Sequence, residues 1–206
     1  MSDKVLSAEK RIVCFGDSNT YGYDPRGFFG GRYGEAVRWT GRLKREGWDI
    51  INEGENGRQI PASEWMYEHA HRLIVRHEPF DLLCVMLGSN DLLMGRGYLA
   101  EDVTERMEAF LKDLLARGIR ADILLISPPA MCPGDWVYED RPLLESEVMH
   151  ECYEALADRL GIRFTDASLW VPELSYDGVH FTEAGHAAFA RGLGAELAKI
   201  FAGEKL

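Results

Sequence analysis

The sequence predicts an α/β fold in which a five-stranded parallel sheet carries helices on both faces. Two observations lead to this prediction. Five short apolar runs alternate with longer segments of helical periodicity along the 206 residues, and such alternation is typical of parallel sheets built from right-handed crossovers. The apolar runs are continuous rather than alternating in polarity, which indicates strands that are covered on both faces.

The individual elements follow from these patterns. The strands are predicted at residues 11–15, 48–52, 81–87, 122–127 and 162–166. The helices are predicted at residues 35–47, 62–77, 101–118, 142–161 and 182–201. The clearest helical pattern is at residues 101–118, where apolar residues recur every three or four positions and Gly118 can cap the C-terminus.

Composition limits the classes of protein that the chain can represent. Its length and its 46% hydrophobic residues suit a single domain, predicted over residues 1–206 with a flexible N-terminal lead at 1–10. A net charge of -11 disfavours binding to nucleic acid or to an anionic membrane. No run approaches the roughly 20 apolar residues of a membrane span.

The N-terminal residues and the cysteines bear on the cellular compartment. The first ten residues contain no apolar core of the length that a signal peptide needs. The four cysteines form no CxxC pair, so neither zinc nor a disulfide framework is expected. The expectation is a cytoplasmic protein.

Polar residues cluster where the predicted strands end. In open parallel sheets, ligands bind outside the carboxyl ends of the strands, so these residues are expected along one rim. The polar residues are Asp17, Ser18 and Asn19 after the first strand, Asn90 after the third, and Asp177 and His180 in the loop beyond the fifth, while Gly57 follows the second strand.

This rim can supply the groups that acyl transfer by a serine requires, namely a nucleophile, a base, a carboxylate and oxyanion donors. Ser18 is the candidate nucleophile and His180 the candidate base. Asp177 lies three residues before His180 and can reach the same imidazole across one turn. The candidate oxyanion donors are the backbone N–H groups of Ser18 and Gly57 and the side-chain amide of Asn90.

Four short blocks, in their order and spacing, resemble the signature blocks of the SGNH (GDSL-type) hydrolase family. They are "FGDSNT", "EGENGR", "LGSND" and "DGVHF". "VRWTG", "MLGSND", "SPP" and "DGVHFTE" are similar to the bacterial arylesterase and acyltransferase branch of that family. The resemblance implies a flavodoxin-like three-layer α/β/α sandwich without a cofactor. It also implies a Ser18–His180–Asp177 triad and an oxyanion hole formed by Ser18, Gly57 and Asn90.

One position departs from the family pattern, because Asn19 stands where the first block usually has leucine. Asn19 is expected to hydrogen-bond its local backbone where a leucine would pack. Asp17 is interpreted as a residue that stabilises the turn, and His186 as structural. Met131 and Trp136 are candidates either for an acyl pocket or for a subunit contact.

The leading hypothesis is a serine esterase that acts on small acyl, acetyl-like esters, with a small-molecule ester as its partner. Transfer of the acyl group to an alcohol or a sugar hydroxyl at the same site is the close alternative. A metal-dependent phosphoesterase and a non-catalytic, flavodoxin-like nucleotide-binding module are alternatives of other classes. Neither a GxGxxG motif nor a P-loop follows the first strand. Self-association into a homo-oligomer is left open.

Overall fold

The structure is a computed structural model that describes residues 10–27, 31–95 and 97–203. All but the last residue of the predicted N-terminal lead lies outside these ranges. In chain order the elements are β1 (Arg11–Gly16), α1 (Ser18–Tyr21), β2 (Tyr23–Asp24), β3 (Gly31–Arg32), α2 (Trp39–Arg45), β4 (Asp49–Gly54), α3 (Glu64–Val75), β5 (Leu82–Met86), α4 (Ser89–Met94), α5 (Ala100–Ala116), β6 (Asp122–Ser127), α6 (Asp140–Leu160), β7 (Arg163–Asp166), a 3-10 helix (Ala167–Trp170) and α7 (Glu183–Ala202).

The main sheet has five parallel strands in the order β4-β1-β5-β6-β7. The chain runs from β1 outward to β4 and then crosses back to β5 on the other side of β1. The carboxyl end of β1 is therefore the topological switch point of the sheet, where open α/β sheets bind their ligands. The prediction of a five-stranded parallel sheet is confirmed.

Helices cover both faces of this sheet, and each face has its own apolar core. Val13 and Phe15 of β1 pack into the core shared with α3, α5 and α6. Ile12 and Cys14 point the other way, into the core shared with α2 and α7. Because both faces are covered, the four consecutive positions Ile12, Val13, Cys14 and Phe15 are all apolar and buried, which is the reason for the unbroken run in the sequence. The three-layer α/β/α architecture is confirmed.

The structure adds short elements that the sequence patterns did not indicate. These are the two-stranded antiparallel hairpin of β2 and β3 and the one-turn helices α1 and α4. Helix α2 begins at Trp39 rather than at residue 35. Residues 35–38 form a turn instead, and this turn lies so close to Gly41 that an added Cβ there would be 1.9 Å from the Glu35 carbonyl oxygen.

None of the helices in the described ranges combines the length and the apolar character that a membrane crossing requires.

Candidate active site

The candidate nucleophile lies at the carboxyl end of β1, where the chain turns sharply into α1. Asp17 caps this helix, and its Oδ1 accepts a hydrogen bond of 2.9 Å from the backbone N–H of Asn19. Glycine is required at position 16, because an added Cβ would lie 2.1 Å from the Thr20 hydroxyl oxygen. The turn therefore places Ser18 at the first position of α1. The interpretation of Asp17 as a residue that stabilises the turn agrees with this bond.

Ser18, His180 and Asp177 form one chain of hydrogen bonds. The Oγ of Ser18 lies 2.9 Å from Nε2 of His180, a residue 162 positions further along the chain. The Nδ1 of His180 lies 2.7 Å from Oδ2 of Asp177. All three side chains are almost fully buried. The structure thus brings together the three residues that the sequence predicted as a triad.

The second carboxylate oxygen of Asp177 holds the loop that carries His180. Its Oδ1 accepts hydrogen bonds from the backbone N–H groups of Val179, at 3.0 Å, and His180, at 2.9 Å. Burial alone raises the pKa of Asp177, but the bonds from the His180 side chain and from these N–H groups outweigh it, so the pKa is lowered. An ionised carboxylate only accepts, so Nδ1 of His180 carries the proton and Nε2 is left to accept from Ser18.

The three candidate oxyanion donors come from elements on both sides of β1. Ser18 follows β1 itself, Gly57 lies in the loop after β4, and Asn90 is in α4, beyond β5. Within the described ranges, no protein acceptor pairs with the backbone N–H of Ser18 or Gly57. Gly57 has a φ of 72°, a left-handed conformation that glycine adopts without steric cost.

Asn90 is held in place by the loop that carries Gly57. Its Nδ2 donates a hydrogen bond of 3.0 Å to the backbone carbonyl of Arg58. A primary amide has two N–H donors, so one remains for a ligand. Two of the predicted oxyanion donors, Asn90 and Gly57, are therefore linked through Arg58, the residue that follows Gly57 in the chain.

Arg58 braces this loop against β1, a role that sequence reasoning missed. Its guanidinium lies over the Phe15 ring, 4.1 Å from the centroid, and donates 2.8 Å to the carbonyl of Gly16. It also bonds to the carbonyl of Glu53. Burial lowers the pKa of Arg58, and nearby acidic groups, Glu55 first among them, oppose that shift. The "GR" of the second block was the available signal for this residue.

Asp91 performs a similar structural role next to Asn90. It is fully buried, and its Oδ2 accepts a hydrogen bond of 3.1 Å from the backbone N–H of Ile60. Its Oδ1 lies 3.3 Å from a guanidinium nitrogen of Arg106, which also donates 2.9 Å to the Ile60 carbonyl. Burial raises the pKa of Asp91 to about 6 despite these partners.

Aromatic rings enclose the imidazole of His180 at the rim. The Tyr23 ring lies 4.6 Å from it, centroid to centroid, and the Trp136 ring lies 4.9 Å from it at 84°. Trp136 is half exposed, so part of its surface faces solvent beside the site. The other pocket candidate, Met131, is buried in the core formed with α5 and α6.

His186 lies behind this site, with no exposed surface. Its Nδ1 accepts a 3.4 Å hydrogen bond from the backbone N–H of Trp39, and its ring meets those of Tyr33 and Phe181 edge to face. Burial, together with the charges of Arg42 and Arg38, lowers the pKa of His186 to about 3. These contacts support the interpretation of His186 as a structural, neutral histidine.

A cavity of about 310 Å³ adjoins Gly57 on the side of α3. Phe15 and Arg58 are among its lining residues, as are Trp65 and His69, whose rings stack 5.6 Å apart. It lies beside the candidate oxyanion donors and contains none of the three hydrogen-bonded residues.

Within the described ranges, no group of three or more His, Cys, Asp or Glu side chains is arranged to hold a metal ion.

The fold and this hydrogen-bonded site define the class of protein, a hydrolase of the SGNH type. The chain belongs to the GDSL-like Lipase/Acylhydrolase family, whose pattern it matches over residues 14–188. It is therefore an ester-hydrolysing enzyme. A comparison with curated proteins gives no match.

Solved structures of esterases share the whole fold. The aryl esterase of M. smegmatis is 26% identical, with a TM-score of 0.81, and the match covers 92% of this chain and 99% of the other. A carbohydrate acetylesterase family member from Sinorhizobium meliloti is 28% identical, with a TM-score of 0.81, and the match covers 94% and 99%.

Proposed function

We propose that the protein is a serine esterase for small acyl, acetyl-like esters, with Ser18 as nucleophile, His180 as base and Asp177 as the carboxylate that orients it. The single observation that carries the proposal is the chain of short hydrogen bonds from the Ser18 hydroxyl through His180 to Asp177. An alcohol is a weak nucleophile at neutral pH, and an adjacent imidazole that accepts its proton activates it.

The reaction proceeds in two halves at the same atoms. Nε2 of His180 takes the proton as Oγ of Ser18 attacks the ester carbonyl carbon. His180 then gives this proton to the leaving alcohol as the carbon–oxygen bond breaks, which leaves an acyl-enzyme. In the second half His180 deprotonates a water molecule, which attacks the acyl carbon and releases the acid and the free Ser18 hydroxyl.

The negative oxygen of each tetrahedral intermediate is stabilised by Ser18, Gly57 and Asn90. The proposed donors are the backbone N–H groups of Ser18 and Gly57 and the second N–H of the Asn90 amide. Such prearranged donors are worth more in a buried site than in water, since no reorganisation is needed as charge develops.

Two observations support a small acyl group. The methyl carbon of Met94 lies 3.9 Å from the position that a Cβ at Gly57 would take, so this side chain bounds the space beside the candidate oxyanion donor. One of the similar structures is named a carbohydrate acetylesterase family member, and acetyl is a small acyl group.

The test is hydrolysis of p-nitrophenyl acetate and longer p-nitrophenyl esters by the wild type and by Ser18→Ala. Ser63→Ala is the matched control, because Ser63 is also a serine at a helix N-terminus but is exposed at the start of α3. We expect Ser18→Ala to lose several orders of magnitude in kcat, the control to keep its activity, and the wild-type rate to fall with acyl length. Full activity in Ser18→Ala would refute the mechanism.

A further inference from the structure

The residue after the candidate nucleophile reaches across the molecule to the loop that carries the candidate base. Its side chain was expected to bond its local backbone, and the structure corrects this. The Nδ2 of Asn19 donates 3.0 Å to the backbone carbonyl of Val179, and its Oδ1 accepts 2.9 Å from the backbone N–H of Phe181. Val179 and Phe181 are the two neighbours of His180.

This arrangement connects two consecutive residues of α1 to three consecutive residues of the other loop. Ser18 bonds to the His180 ring, and Asn19 bonds on either side of the same residue. Because Ser18 and Asn19 belong to one helical turn, they move together. The amide therefore fixes the backbone of the base relative to the backbone of the nucleophile, independently of the bonds that Asp177 makes.

The other polar groups of Asn19 are also paired. Its backbone N–H donates to Asp17, and its carbonyl accepts a 2.9 Å bond from the indole Nε1 of Trp39. The residue is 5% exposed. A leucine at this position would leave the carbonyl of Val179 and the N–H of Phe181 without their partners, and buried unpaired groups are costly.

We propose that Asn19 is a positioning residue that sets the distance between His180 and Ser18, in place of the apolar packing that the usual leucine provides. The inference rests on the proposed function, since it assigns Asn19 a role only through that pair. A displacement of about 1 Å between reacting groups can cost on the order of 10²-fold in rate. Loss of the two bonds is therefore expected to act on kcat.

The test compares Asn19→Leu and Asn19→Ala with Asn52→Leu. Asn52 is a suitable control because its side chain is likewise held by hydrogen bonds, three of them, to Thr20, Thr40 and Gly54, but makes none to the His180 loop. The measurements are kcat and KM with p-nitrophenyl acetate, the rate of covalent labelling by a serine-directed phosphonate, and the free energy of unfolding. The alanine variant also removes both bonds but avoids the larger side chain, so it decides the test if the leucine variant does not fold.

We expect both Asn19 variants to lower kcat and the labelling rate by about 10- to 100-fold with KM nearly unchanged. Asn52→Leu should lose stability while it keeps the labelling rate. A folded Asn19 variant that is labelled as fast as the wild type would overturn the inference, and so would an equal loss of labelling in Asn52→Leu. Absence of labelling in the wild type is a separate result, because it would overturn the proposed function itself.

Discussion

The indole of Trp136 stands nearly perpendicular to the imidazole of His180, with ring centroids 4.9 Å apart. Tyr23 lies 4.6 Å from the same imidazole and 6.4 Å from Trp136. The candidate base is thus enclosed by two aromatic rings, and Trp136 extends this apolar wall to the solvent. In the proposed reaction His180 protonates the leaving alcohol, so the alcohol part of the ester must pass beside these rings.

Replacing Trp136 by alanine is expected to affect esters according to their alcohol part. An aromatic contact is worth about 0.5–1.5 kcal/mol, so KM for p-nitrophenyl acetate should rise by roughly 2- to 12-fold, while KM for ethyl acetate should change little. Tyr138→Ala is the control, because this residue of the same loop is 84% exposed. Equal changes for both esters would contradict the placement of the leaving group beside Trp136.

Replacing Asp177 by asparagine should leave the fold intact but remove most of the activity. The amide oxygen can still accept from the backbone N–H groups of Val179 and His180, so the loop keeps its anchor. The amide N–H₂ then faces Nδ1 and favours the wrong imidazole tautomer, for which a loss of about 10⁴-fold in kcat is expected. The measurement compares the steady-state kinetics of Asp177→Asn with those of Asp135→Asn, which changes an exposed carboxylate of the neighbouring loop. A loss below tenfold would argue against the orienting role.

Replacing Asn90 by alanine removes one of the proposed oxyanion donors. We expect kcat to fall by about 10²–10³-fold with little change in KM, since the donor acts mainly when charge develops on the oxygen. Asn56→Ala, an exposed amide in the loop beside Gly57, should behave as the wild type. An increase in KM alone would instead assign Asn90 to ground-state binding.

The stability of the protein should depend on pH through Asp17. Burial raises the pKa of Asp17 to about 6, against 3.8 for an ordinary aspartate. Between about pH 4 and 6 the unfolded chain therefore releases a proton that the folded chain retains. It follows that stability falls as pH rises through this window and is then constant.

Asp17→Asn should remove this dependence while it preserves the helix cap, because an asparagine oxygen can accept from Asn19 in the same way. The free energy of unfolding of the variant, relative to the wild type, should increase by about 2 kcal/mol from pH 4 to pH 8. Urea unfolding of both proteins at a series of pH values measures this difference in unfolding free energy. A difference that stays constant over this range would show that the Asp17 carboxyl is ionised throughout.

The sheet and the placement of the candidate site residues along one edge of it could be predicted from the sequence, because both depend on local signals. Continuous apolar runs identify strands that are covered on both faces, and the strand ends then place Ser18, Asn90 and His180 on one rim. The bounds of the long helices agree within a few residues for the same reason. The largest difference is at the start of α2, where residues 35–38 form a turn packed against Gly41, a contact that no periodicity records.

The features that were missed depend on partners far away in the chain. The strands of the hairpin, Tyr23–Asp24 and Gly31–Arg32, are two residues long and too short to show a pattern. The bonds of Asn19 join residues 160 and 162 positions apart, and the stacking of Arg58 on Phe15 joins separate elements. Such contacts exist only once the fold has formed, so composition and spacing do not reveal them.

The separation of 162 residues between Ser18 and His180 has a consequence for biosynthesis. The turn that carries Ser18 is synthesised 162 residues before His180. Under the proposed mechanism, Ser18 therefore has no base beside it until the ribosome has added these residues. The onset of esterase activity during folding would then report the moment at which the turn that carries Ser18 packs against the loop that carries His180.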